Sequence, residues 1–200
     1  MNKKRGRPGD QTREQILDAA LETLKREGFA GATSRAIARA GGFIQALIFY
    51  HFGSLNSLLL AALDRTSAER LERYREAVDE ADTVDQLLSL LVRAHAEDRE
   101  GGHTTVVAQM IAGSVARPEL APEMLERMQP WLELCEQALA KGFGRLGVPP
   151  PAPLPDLAYA VVTFYLGVNL LTHLDETRRI DAIFARLEEL APLLARAFAP

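Results

Sequence analysis

The sequence predicts an all-α protein: an N-terminal three-helix unit of the helix-turn-helix kind joined to a larger helical bundle. Three observations predict it. No segment alternates apolar and polar residues for long, and Val, Ile and Thr seldom cluster, so strand signals are absent. Apolar residues recur instead at three- and four-residue spacing along nearly the whole chain. Between these stretches fall helix stop and start signals: Thr three residues before Gln, paired glycines and a run of prolines.

Each element follows in order. Ile16, Leu17, Ala20, Leu21 and Leu24 share one face of a first helix that can start at the capping box Thr12-x-x-Gln15 and stop at Gly28. A short second helix runs from Thr33 or Ser34 to about Ala40, Gly41-Gly42 makes a tight turn, and a third runs from about Ile44 to Tyr50. Ser54 caps a fourth over Leu55–Leu63. A second capping box, Thr83-x-x-Gln86, opens a helix that buries Val84, Leu87, Leu88, Leu91 and Val92 and ends near Gly101-Gly102. Helices at roughly 104–115, 121–143, 156–174 and 177–198 complete the bundle. The expected organisation is a flexible basic arm at 1–11, the helix-turn-helix unit at 12–54 and the bundle at 55–200, with a Pro-rich loop at 148–155. That loop is a stiff connector, because proline lacks the amide donor; a ligand for an SH3-like partner is the rival reading, but no basic residues flank it.

Composition narrows the class. The 200 residues, 48% hydrophobic and 25% charged, describe an ordinary globular protein rather than a disordered one. Cys135, the single cysteine, cannot form an internal disulfide, and the charged N-terminus has no apolar run like that of a secretion signal, so the expected location is cytoplasmic. The net charge of -4 hides a split: residues 1–52 carry nine Lys/Arg against five acids, which is +4, and the remainder is therefore -8. A basic front end points to a polyanionic partner.

The stretch Leu157–Leu174 holds no charged residue and is at the lower edge of membrane-span length. Thr163, Gly167, Asn169, Thr172 and His173 interrupt it and no Lys or Arg anchors flank it closely, so no membrane association is expected. A helix apolar nearly all round must then be covered on both sides, one of them best by the same helix of a second chain. Leu157, Val161, Phe164, Val168 and Leu171, with Leu187, Leu190 and Leu194 of the last helix, are the expected homodimer interface.

Helix, tight turn and short helix form the geometry in which the second helix enters the major groove of double-stranded DNA. Spacing assigns Ile37, Phe43, Ile48 and Phe52 inward and leaves Gln45, Ala46, Leu47, Phe49 and Tyr50 outward or at the rim. The ordered set Thr33-Ser34-Arg35-Ala36-Ile37-Ala38, Gly42-Phe43, Leu47-Ile48-Phe49-Tyr50-His51-Phe52, Ser54 and the leucines of 58–63 closely resembles the DNA-binding domain of the tetracycline-repressor (TetR) family. The resemblance covers residues 12 to about 63. It implies a homodimeric, all-helical transcriptional regulator, most often a repressor, whose larger domain binds a small molecule and thereby releases a pseudo-palindromic operator.

Position by position, the resemblance implies that Arg35 contacts DNA, that Thr33 and Ser34 offer hydroxyls and amides to phosphate, and that Gln45, Ala46 and Leu47 face the groove. Phe49, Tyr50 and His51 lie near the backbone, and the amide of Ser54 receives a phosphate. The sequence departs from the family at Ile44, where a polar cap is usual, at Phe49, where Tyr is common, and at Leu55, where Lys is common. Lys3, Lys4, Arg5 and Arg7 are the expected compensation, since a basic arm can follow the minor groove. Rival readings make the arm a solvated tail, and Leu47 and Phe49 a contact to the fourth helix.

For the effector, His95, Met110, Trp131, Cys135, Tyr165 and Asn169 combine bulk with a polar or polarisable handle and are the candidate pocket residues. No cofactor and no metal site is expected. Two other classes remain as alternatives: a helical scaffold without DNA binding, and an enzyme using the region of His95, Asp98 and His103, which lacks metal-ligand spacing.

Overall fold

The computed structural model describes residues 8–101, 103–171, 180, 182–186 and 189. Among the described residues every regular element is helical: α1 Pro8–Gly31, α2 Ser34–Gly41, α3 Ala46–Phe52, α4 Leu55–Glu80, α5 Val84–Gly101, α6 His103–Ala116, a 3-10 turn at Pro118–Leu120, α7 Ala121–Leu146 and α8 Leu154–Leu171.

Several boundaries differ from those read off the sequence, each for a local reason. The helix α1 is already formed at Pro8, ahead of the Thr12 box. Gln15 is then free of the capping role and donates from Nε2 to the Gly41 carbonyl at 2.8 Å. The backbone breaks at Gly28, whose φ of +70° suits glycine, and helical geometry resumes up to Gly31. The helix α3 begins two residues later than the spacing suggests, because Ile44 offers no capping oxygen; the Gln45 side chain does not cap the helix either. The helix α4 runs on to Glu80 where Leu63 was the expected end. Leu71, Tyr74, Ala77 and Val78 keep the helical spacing there, and a charged outer face conceals it.

Contacts divide the chain into two compact units. One comprises residues up to Ser67 together with Val106–Met124, the other Ala68–Thr105 together with the residues from Leu125 onward. In the first, the fully buried side chains include Ile16, Leu17, Leu24, Ile37, Ile48, Leu58, Leu59, Met110 and Leu120. Its α1 packs on α2. The stretch Val106–Met124 is tied to the helix-turn-helix by specific contacts. Gln109 Oε1 accepts the Phe29 amide at 3.2 Å just after the Gly28 break. The Phe29 ring lies against Gly113, with the Arg117 guanidinium 4.9 Å above it. Arg117 also donates to Asn56 Oδ1 at 2.8 Å.

In the second unit, Tyr74, Val78, Leu90 and Leu134 bring α4, α5 and α7 together, with Trp131 against them. The Thr83–Gln86 capping box forms as its spacing predicts: the Thr83 hydroxyl accepts the Gln86 amide at 3.2 Å and Gln86 Oε1 accepts the Thr83 amide at 3.1 Å. The Lys141 amine donates to the carbonyls of Val78 and Asp79 at 2.9 and 2.6 Å, closing the end of α4. Val168 packs with Ile180 and Phe184 on Leu91, Val92 and Tyr165.

Candidate nucleic-acid interface and effector region

The helix-turn-helix is held by three small devices. Thr33, extended at φ −84°, caps α2 by accepting the Ala36 amide at 3.1 Å. Gly42 takes the left-handed conformation at φ +69°, so the chain reverses without strain. Gly41 gives room: a Cβ there would lie 2.1 Å from Phe43 Cε1 and 2.9 Å from the Ala19 Cβ, so the turn closes onto α1 only with glycine.

On that frame α3 buries Ile48 completely and turns Gln45, Ala46, Phe49 and Tyr50 outward. Leu47, His51, Phe43 and Phe52 are half-buried, at the rim. Ile44 is 69% exposed and Tyr50 82%, an unusual outlay of apolar and aromatic surface for a folded domain. The Tyr50 ring stands edge-on to His51 at 5.0 Å, and the Arg13 guanidinium sits 4.8 Å over Phe52. Gln45 Nε2 donates to Ser34 Oγ, joining α3 to the start of α2. Ser54 caps α4, its hydroxyl accepting the Ser57 amide at 3.0 Å. Arg35 is exposed and forms no ion pair among the described residues.

Charge sharpens the picture. Residues 8–54 carry five Lys/Arg and five acids, so this stretch is neutral and the front-end surplus of +4 comes from Lys3, Lys4, Arg5 and Arg7. Those four positions lie outside the described residues. An acidic line along α1, Asp10, Glu14 and Asp18, is partly covered by Arg65, at 2.9 Å from Glu14 and 2.6 Å from Asp18. Partial burial opposes the Arg65 charge, but the hydrogen bonds it donates to the Glu14 and Asp18 carboxylates, together with their charges, outweigh this and hold its pKa above the ordinary guanidinium value.

The effector candidates are placed as follows. His95 and Asn169 are both buried and bond to each other, Nδ1 to Oδ1 at 3.1 Å. The His95 ring stacks on Phe184 at 4.0 Å, and Asn169 Nδ2 donates to the Tyr165 carbonyl at 2.8 Å. Trp131 lies 6.3 Å from Tyr74 and 5.9 Å from His103, centroid to centroid. Cys135 is half-buried, and burial, with the Glu136 charge adding, pushes its thiol up to about 11. Met110 is fully buried and belongs to the other compact unit. The Asp98 side chain lies outside the described residues.

The face of α8 corrects one expected interface residue. Val168 is 7% exposed and packs in the core of its own chain. The outward stripe is Ala160, Thr163, Phe164, Gly167, Leu170 and Leu171, spaced three and four apart, with Tyr159 beside it. Leu157 and Val161 are half-buried at its edge. Leu187, Leu190 and Leu194 lie outside the described residues. Among the described helices α8 alone has the length and apolar composition to cross a membrane, a test that the core helix of a soluble protein also passes.

Residues 16–62 match the family of bacterial regulatory proteins designated tetR. Over that segment the chain carries the DNA-binding domain of the TetR family of transcriptional regulators. Among curated relatives, the fatty acid metabolism regulator protein of Bacillus subtilis is 23% identical over 129 residues, 64% of this chain and 66% of the relative. The HTH-type regulator UidR of Escherichia coli is 27% identical over 110 residues, 55% of each protein. These matches therefore span somewhat less than two thirds of the relatives' length. The crystal structure of the regulator FadR from Bacillus subtilis with stearoyl-CoA superposes with a TM-score of 0.72 at 16% identity, covering 89% of this chain and 96% of that one. The all-helical TetR fold thus extends well beyond the matched N-terminal segment.

Sequence reasoning missed two features of this TetR-family interface. The Gln45–Ser34 bond joins residues eleven apart, and nothing in the spacing announces it. The Gln15–Gly41 bond was hidden because Gln15 also completes a plausible capping box.

Proposed function

We propose that the protein is a ligand-responsive, sequence-specific regulator, most simply a cytoplasmic repressor, that binds a pseudo-palindromic operator as a homodimer and leaves it when a small molecule binds. The observation that carries this is α3, anchored by buried Ile48 and offering Gln45, Ala46 and Tyr50 outward beside exposed Arg35. In this reading, residues 12–54 recognise DNA, residues 55–200 supply effector binding and dimerisation, and the arm at 1–11 reinforces the hold. Gln45, Ala46 and Leu47 meet base edges, while Thr33, Ser34, Arg35, Phe49, Tyr50, His51 and Ser54 touch the phosphate backbone. Thr33 Oγ1 accepts within its own helix, so its contribution to phosphate is the hydroxyl hydrogen. Because residues 8–54 are neutral in sum, Lys3, Lys4, Arg5 and Arg7 carry most of the salt-dependent affinity.

The exposed α8 stripe supports dimerisation, since Ala160 and Gly167 let a partner helix approach closely between Phe164, Leu170 and Leu171. Two reading helices so held lie about 34 Å apart, one turn of B-DNA. The contacts of Phe29 with Gln109, Gly113 and Arg117 give the effector a route: displacement of α6 pulls on the end of α1, just ahead of α2. Trp131, Cys135, Tyr165, Asn169, His95 and Met110 remain the residues to probe for the effector, and the FadR complex makes a long-chain acyl-CoA the first compound to try.

Selection of random duplexes on the purified protein tests the reading. The expected product is a palindrome with half-sites about one helical turn apart, weakened when effector is added. Recovery of no preferred duplex would refute it.

A further inference from the structure

We infer that Ser34 is a positioning residue for base recognition: its hydroxyl orients the Gln45 amide so that Gln45 prefers adenine to guanine at one base pair of each half-site. The inference rests on the DNA-reading role proposed above for α3. Gln45 is exposed and immediately precedes the first residue of α3, already with helical φ and ψ of −53° and −32°. It therefore stands at the N-terminal end, from which a recognition helix meets base edges. Its neighbours Ile44, Ala46 and Leu47 have no hydrogen-bonding side chains, so discrimination by hydrogen bonds falls to Gln45.

A carboxamide is nearly symmetric in shape but not in chemistry: Nε2 carries two donors and Oε1 two lone pairs. An untethered amide can turn over and offer either end to a base. Here Nε2 donates to Ser34 Oγ, and once the Ser34 hydroxyl hydrogen is given to a phosphate oxygen Oγ can only accept, which distinguishes the two ends. One Nε2 hydrogen is thereby engaged, and the second hydrogen and Oε1 are left together as a donor–acceptor edge. Adenine matches that edge, with N7 accepting and its N6 amino group donating. Guanine keeps N7 but places the acceptor O6 where Oε1 needs a donor. A free amide would relieve this clash by swinging Oε1 away and pointing both Nε2 hydrogens at N7 and O6, whereas the tethered one must give up its bond to Ser34 to do so.

Ser34 is available for this task because Thr33 does the capping. Thr33 Oγ1 takes the Ala36 amide at 3.1 Å, so the Ser34 hydroxyl is not needed by the helix. While its oxygen accepts from Gln45, its hydrogen can go to a phosphate oxygen. Seating on the backbone and orientation of the base-reading amide are then coupled through one side chain.

The test uses the full-length protein and its selected operator, with every single base-pair replacement measured at one salt concentration for the wild type, Ser34→Ala, Ser34→Thr and Gln45→Ala. The wild type should prefer adenine to guanine about tenfold or more at one position of the half-site. Gln45→Ala should abolish that preference there and nowhere else. Ser34→Ala should cut it to about threefold or less, and Ser34→Thr, which keeps the hydroxyl, should retain it. If Ser34→Ala does not fold, Ser34→Cys supplies a poor acceptor of similar size and reads the same ratio. A uniform affinity loss in Ser34→Ala with the adenine preference intact would overturn the inference and leave the DNA-reading role standing. If Gln45→Ala changed no preference anywhere, the inference would fall together with the assignment of Gln45 to the interface.

Discussion

Alanine at Gly113 should destabilise this protein, whereas alanine at Gly144 should stabilise it, although both glycines lie within helices, α6 and α7. A helix interior favours alanine over glycine by about 0.5–1 kcal/mol. At Gly144 an added Cβ meets nothing within 4 Å, so that gain should appear in full. At Gly113 the Cβ would lie 2.5 Å from Phe29 Cδ1 and Cε1 and 2.6 Å from Cγ, three ring atoms at once. Favourable packing needs roughly 3.5–4.0 Å, so the ring must retreat by about 1 Å. It has little room to do so, being 9% exposed and covered by the Arg117 guanidinium at 4.9 Å. Overpacking of this kind costs about 1–3 kcal/mol, which exceeds the helical gain and leaves a net loss of roughly 1–2 kcal/mol. For a chain of this length that lowers the melting temperature by about 2–8 °C, measurable by circular dichroism at one fixed protein concentration. Should Gly113→Ala melt as high as Gly144→Ala, Phe29 would not fill the space against α6 and the route proposed from α6 to the reading helices would lose its footing.

Three further outcomes follow from charge, burial and exposure. Deleting residues 2–8 should flatten the dependence of operator affinity on salt, by about 0.9 in the log–log slope for each phosphate that the arm neutralises; an unchanged slope would remove the arm from the interface. The Cys135 thiol, pushed up to about 11 by burial, keeps its proton at pH values where the unfolded chain, near 9, gives it up. That contribution to stability is complete below pH 9 and is lost as pH rises from 9 toward 11, so urea midpoints should fall over this range and fall less in Cys135→Ala. Phe164→Glu, on the outward stripe of α8, should convert the proposed dimer into a monomer in sedimentation velocity and abolish operator binding at nanomolar concentrations; a dimer that persists would place the interface elsewhere.

How much was legible in advance varies from element to element. The Thr83–Gln86 box formed where its spacing put it, because its bonds close within one helical turn. The equally regular Thr12–Gln15 box did not mark a helix start, since α1 is already helical at Pro8 and Gln15 bonds instead to Gly41, twenty-six residues away. The length of α4 was underestimated because its continuation past Leu63 wears a charged face, and the apolar residues that hold it, Tyr74 and Val78, are revealed only by the helices packed on them.

Sequence by itself determined the all-α class, the helix-turn-helix with Ile37 and Ile48 as its anchors, the outward set around Gln45, and the basic arm as the seat of the charge surplus. These rest on periodicity, turn chemistry and composition, which are local or additive along the chain. Tertiary structure decided that His95 and Asn169 bond to each other, that Val168 faces its own core while Ala160 and Gly167 face outward, and that Ser34 holds Gln45. Helical spacing tells which residues share a face, but which neighbour meets that face, and which donor reaches which acceptor, depends on how distant segments pack.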